Sequence, residues 1–342
     1  MIQIEDVIIR NLIYHQIVVD NDKPNFSDAL YEYKNEEEES ILKRIFLKPF
    51  LTNFTTFEFS HDIDLELNPL FKFSQAILEE DDFITQSKNI CQHLKSVSKH
   101  PNIKDGDLFI LKFEGIKMNN KIYDALGIYK SENKENFIET FTFNKNEPGL
   151  DFKKGIGSKR LDKACLIIFT ENQFTILLID NANIQTDYWQ NEFINLRLKK
   201  DNINNTTQFL TLTKSFVTKQ LPSEFDVTKA DQIDLLNRSV EYFKNSDNFN
   251  KDEFEQHVLQ DDSLIKSFQS FDSDYRREKD IEISDGFPIS PDAVKKQERV
   301  FKTVLKLDKN FHIYIHGNRE LIEHGVEKDG RKYYKIYFDQ ES

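Results

Sequence analysis

Between residues 107 and 180 the chain repeats one pattern, a short apolar run followed by a turn. The runs are 107–113, 122–130, 137–143, 164–170 and 174–180. They are rich in Ile, Leu, Phe, Tyr and Thr, the residues that suit a pleated, half-buried surface. The breaks between them are Met118-Asn119-Asn120, Ser131-Glu132-Asn133, Glu147-Pro148-Gly149 and Glu171-Asn172-Gln173, with Asp105-Gly106 ahead of the first. Most of these connections are too short to carry a crossover helix, so the runs predict a five-strand antiparallel sheet. Upstream, residues 2–19 read as one or two further strands. Asn35 before Glu36, Glu37, Glu38 and Glu39 marks a helix start, because acidic side chains in a first turn complement the helix dipole. Its apolar face uses Ile41, Leu42, Ile45 and Phe46. Residues 68–99 hold apolar positions at helical spacing until Pro101 stops the pattern.

Beyond the sheet, residues 188–198 form an amphipathic segment and 206–219 a second helix. Leu221-Pro222-Ser223 is the best linker. Helical patterns follow over 227–245, 250–259 and 261–278. Strands are expected at 300–307, 311–316, 321–324 and 332–338, with Lys328-Asp329-Gly330 as a hairpin turn before the last. The prediction is an α+β protein of two domains. Residues 1–220 carry the five-strand antiparallel sheet packed by helices, and 221–342 carry helices followed by a small strand region. A chain of 342 residues exceeds the usual size of one core, which supports the division.

Composition adds three points. Thirty Phe and twelve Tyr supply enough buried area for a packed core, so a disordered chain is excluded. The two cysteines, Cys91 and Cys165, are expected as reduced, buried hydrophobes. The N-terminus shows no secretory pattern and no apolar run is long enough to span a bilayer, so a cytoplasmic protein without a membrane is expected.

The net charge of −13 alone disfavours a polyanionic partner. Its distribution is uneven. Residues 151–220 hold ten Lys/Arg against seven Asp/Glu, and 295–335 hold eleven against six. Residues 1–100 hold ten against eighteen, and 221–294 eight against eighteen. The alternation suits a molecule with one face for DNA and another kept acidic. Scatter of segment charges is the simpler reading.

Three groups of cations are the candidate phosphate contacts. Lys153, Lys154, Lys159 and Arg160 flank Gly155-Ile156-Gly157, where glycines let backbone N–H groups approach a phosphate. The loop lacks the Walker spacing and precedes a strand, so it is no nucleotide fingerprint. Arg197, Lys199 and Lys200 are expected at a helix end, where cations also suit the dipole. Lys295, Lys296, Arg299 and Lys302, with Lys306 beyond them, run at helical and then alternating spacing. Each group reads equally as a solvated basic surface.

No nucleophile elbow, zinc-spaced cysteine pair or His-Glu-x-x-His motif occurs. His312 and His316, four residues apart on an extended strand, stand too far apart to share a metal alone. Asp124 with Glu132-Asn133-Lys134 has roughly the form of a metal-dependent nuclease site, though Glu132 and Lys134 fall in a turn. Neither a cofactor nor a metal is expected.

Three stretches resemble the bacterial nucleoid-associated NdpA family. They are Ala125-Leu126-Gly127-Ile128-Tyr129; the block 155–180 continuing through Tyr188-Trp189, Phe193, Asp201 and Thr207-Gln208-Phe209-Leu210; and the ending Leu321-Ile322-Glu323 with 333–338. The resemblance implies a non-catalytic protein bound to double-stranded DNA in the nucleoid. Contacts to the phosphate backbone with little sequence preference are the expected mechanism. The alternatives are a non-catalytic protein–protein interaction module, engaging other nucleoid proteins, and a cryptic metal-dependent nuclease. A homo-oligomer is compatible with all three.

Overall fold

A computed structural model of the chain describes all residues except 1, 53–54, 144–146, 158–159, 182–187, 302–303, 316–320, 339 and 341–342. The chain forms two compact units, residues 1–199 and 200–342. The division falls ahead of Leu221-Pro222-Ser223. Those residues lie in a short helix of the second unit, with Leu221 in its core.

The first unit is built on an eight-stranded antiparallel sheet. Its chain order is β1 (Ile2–Gln3), β2 (Ile8–Ile17), α1 (Glu36–Phe46), β3 (Thr56–Phe59), α2 (Pro69–Leu78), α3 (Phe83–Val97), β4 (Gly106–Met118), β5 (Lys121–Ser131), β6 (Glu135–Phe143), β7 (Glu147–Gly155), β8 (Lys163–Ile168), β9 (Thr175–Asp180) and β10 (Leu196–Leu198). The sheet runs β1, β4, β5, β8, β9, β3, β10, with β2 also paired to β4. Alternate side chains enter two different cores. Leu108, Ile110, Leu126, Ile128, Cys165 and Ile167 face α2 and α3. Leu111, Phe113, Ala125, Tyr129, Leu166 and Ile168 face the other way, with Phe46 and Phe50. Burial on both faces explains why β8 is a continuous apolar run rather than an alternating one.

Local signals place the helices. The Asn35 side chain accepts from the Glu38 N–H and caps α1. Residues 68–99 form two helices rather than one: Glu80 adopts a left-handed φ of 63° between them, and Asp82 caps α3. In β4 the register shifts between Phe113 and Ile116, and Gly115 sits there at φ 87°. A Cβ would come within 3.1 Å of the Asp6 carbonyl oxygen, so this bulge needs glycine. Cys91 and Cys165 are buried and free, and burial pushes the Cys91 thiol up to about 12.

The predicted five-strand sheet needs one correction. The run 137–143 is a strand, but it does not join the sheet. β6 pairs only with β7, as a separate two-stranded ribbon. The ribbon is an excursion between β5 and β8, which pair directly. Asp162 clamps its root, accepting from the Glu132 and Asn133 backbone N–H groups and from Asn133 Nδ2 at 2.8–2.9 Å. A second correction concerns 188–198, where a π-helical segment (Tyr188–Ile194) gives way to β10.

The second unit runs α4 (Asn202–Ser215), α5 (Leu221–Glu224), α6 (Lys229–Asn245), β11 (Asn248–Asn250), α7 (Lys251–Phe254), α8 (Asp262–Lys279), β12 (Gly286–Pro288), α9 (Pro291–Phe301), β13 (Val304–Leu307), β14 (Phe311–Tyr314), β15 (Ile322–Val326) and β16 (Lys332–Ile336). Its core is a cluster of phenylalanines centred on Phe209, Phe243, Phe249, Phe254 and Phe268. A buried ion network accompanies it: Asp272 accepts from Lys251 at 2.5 Å and from Arg276 at 2.6 Å. The strand expected at 300–307 begins later, because α9 continues to Phe301. The hairpin turn at Lys328-Asp329-Gly330 joins β15 to β16 as expected. The fold is α+β. Among the described residues no helix is long and apolar enough to cross a membrane.

Candidate nucleic-acid interface

The predicted cations fall into two classes, those held by internal partners and those left to solvent. Lys153 projects from β7 and pairs with Glu139 across the ribbon, which raises its pKa. Arg160 donates to the Asn181 carbonyl. Lys154, also on β7, is exposed and pairs with no carboxylate among the described residues. Lys159 lies outside the described residues.

Arg197, Lys199 and Lys200 do not end a helix. Arg197 lies on the edge strand β10, opposite Glu58 of β3, and binds that carboxylate at 2.7 Å. Lys199 donates to the Thr175 hydroxyl at 2.6 Å and to the Gln173 carbonyl at 3.1 Å. Lys200 pairs with Glu282 and lowers that carboxyl's pKa. The amphipathic pattern of residues 188–198 concealed a strand of only three residues at the sheet edge.

The third group is different. α9 starts where Pro291 fixes a helical φ and the Ser290 hydroxyl accepts from the Ala293 N–H at 3.4 Å. Ala293, Val294 and Phe301 turn into the core. That orientation leaves Lys295, Lys296 and Arg299 exposed. Lys295 and Arg299 lie one turn apart on the same stripe and pair with no carboxylate among the described residues. Lys302 continues the stripe in sequence but lies outside the described residues. Glu298, the acidic neighbour, is occupied by Lys244 at 2.9 Å.

The hairpins after α9 carry Lys306 and further exposed groups beyond the predicted cations. Lys306 lies opposite His312 on the β13–β14 pair, and Tyr314 follows on the same face. All three are exposed, as are Lys309, Lys328 and Lys332. Alternation within the short strands was the available signal. Lys335 is instead tied to Glu323 and to the Tyr337 hydroxyl, and Arg331 to Asp329.

The nuclease pattern does not assemble. Asp124 lies near the start of β5 and Glu132 beyond its far end, about 26 Å away by strand rise. Glu132 binds the buried Lys130 at 2.8 Å, and Lys134 binds Asp107 at 2.8 Å. His316 lies outside the described residues. Among the described residues no group of three or more His, Cys, Asp or Glu side chains is placed to hold a metal ion.

Compared with known proteins, residues 13–331 match the family model described as nucleoid-associated protein YejK. A search of curated proteins found no match.

Proposed function

This chain belongs to the nucleoid-associated protein YejK family, and from that premise we propose that it attaches to double-stranded DNA through the phosphate backbone, with little reading of bases. One observation carries the reading: Lys295 and Arg299 stand on the solvated stripe of α9 without a carboxylate partner among the described residues. Lys306, Lys309, Lys328 and Lys332 in the following hairpins extend the positive surface of the same unit. Lysine and arginine neutralise phosphates and release counterions, a gain indifferent to sequence. The acidic remainder of the molecule repels DNA and so orients it toward this surface. The role requires no chemical step, and the protein is read as non-catalytic.

The test is retention of duplex DNA across a salt series. The logarithm of the affinity should fall linearly with the logarithm of salt, by roughly 0.9 for each phosphate neutralised. Duplexes of unrelated sequence should bind within a few-fold of one another. Affinity independent of salt would refute the reading.

A further inference from the structure

The β6–β7 ribbon carries large apolar side chains on both faces and gives them nothing to pack against in the sheet. In its antiparallel register Ile138 lies opposite Phe152, and Leu150 follows on the same face. Phe137, Phe141 and Phe143 occupy the other face. Their exposures are 56% for Ile138, 64% for Leu150, 75% for Phe152, 48% for Phe137, 38% for Phe141 and 53% for Phe143. A two-stranded hairpin is marginal in water by itself. Its root, by contrast, is fixed by the hydrogen bonds to buried Asp162. The sequence therefore holds out an apolar arm from a rigid base.

We propose that this ribbon is a self-association surface, and that its occupant is the ribbon of a second copy of this chain. Two observations favour a second copy. The first is area. At about 200 Å² per ring, the four phenylalanines leave roughly 400 Å² exposed over the two faces of the ribbon together. That is about half of the ~800 Å² per partner in a stable interface, before Ile138 and Leu150 are added. The second is charge. Residues 135–155 hold three lysines against four acidic residues, while residues 1–100 hold ten Lys/Arg against eighteen acidic. Two copies of a chain with net charge −13 repel through their acidic regions. On the ribbon they meet at a nearly neutral surface, whose Phe137 face carries Lys153 beside Glu139 and Asp151 and so presents both signs of charge to a second copy. A two-fold contact requires such a self-complementary patch. Double-stranded DNA is the poorer occupant, since the ribbon is slightly acidic and its most exposed positions are apolar.

Sedimentation of the full chain over a concentration series tests the proposal. The wild type should reach the mass of two chains in the micromolar range. The triple variant Ile138→Ser, Leu150→Ser, Phe152→Ser should stay at the mass of one, with its thermal midpoint retained at low concentration because the positions are exposed. Should that variant unfold, Phe152→Cys supplies the second readout. Cys91 and Cys165 are buried, so oxidation should link two chains through residue 152, and Ile122→Cys, exposed elsewhere, should link far less. A wild type that remains monomeric at roughly 100 µM, well above the range of ordinary interfaces, overturns the proposal. So does a dimer that survives the triple variant, or a triple variant that stays dimeric but releases DNA.

Discussion

Lys130 and Lys163 in the first unit and Lys295 and Arg299 in the second carry the same charge under opposite treatment. The first two lie on β5 and β8, whose side chains are buried on both faces. Lys130 is enclosed, donating to the Lys104 carbonyl and Glu132 at 2.8 Å and to the Tyr188 hydroxyl at 3.2 Å. Lys163 binds Asp180 at 2.7 Å and lies over the Tyr188 ring. Removal from water lowers the Lys130 pKa, and the Glu132 carboxylate opposes that shift. On α9 only one stripe of the helix is buried, so Lys295 and Arg299 keep their hydration. A cation on a doubly covered strand is spent on structure. A cation on the outer stripe of a helix stays available to a partner.

That contrast can be broken at its structural end first. Lys130→Met should cost about 3–5 kcal/mol in urea denaturation, because Glu132 is left buried without its cation. A loss below about 1 kcal/mol would mean that the internal network contributes little.

A smaller effect should appear at His15, on β2 in the same unit. His15 is buried; Nδ1 accepts from the Ser27 N–H at 3.1 Å, so Nε2 carries the proton and donates to Ser87 at 3.0 Å. Burial, with Lys88 nearby, lowers its pKa to about 4. The unfolded chain takes up the proton first, near the ordinary value of about 6.5. The stabilisation is therefore complete above that value and is lost as pH falls toward 4, by at most about 3 kcal/mol. Stability measured from pH 7 to pH 4 should decline less steeply in His15→Gln. Equal slopes would contradict the assignment.

How much of this was legible in the sequence depended on whether a signal was local. The Asn35 cap, the Lys328-Asp329-Gly330 turn and the strands of the sheet centre are local patterns, and each appears in the fold. Whether a strand joins a sheet is not local. Residues 137–143 have the composition of a sheet strand, and nothing in them says that β5 will pair with β8 and leave them outside. Arg197 was misplaced for a similar reason. Its strand has three residues, and only its pairing with β3 defines it. The α9 cations were legible as a group, but the freedom of Lys295 and Arg299 from a carboxylate partner among the described residues was not. It depends on Glu298 being taken by Lys244, a partner far away in sequence.

The most direct measurement compares two charge reversals in one salt titration of duplex DNA. Lys295→Glu with Arg299→Glu should weaken binding roughly tenfold to a hundredfold at low salt and reduce the salt slope by about 2. Lys153→Glu with Arg197→Glu alters cations already held by Glu139 and Glu58, and should leave the slope nearly unchanged. The opposite pattern, a slope lost with the first-unit pair and kept with the α9 pair, would contradict the account.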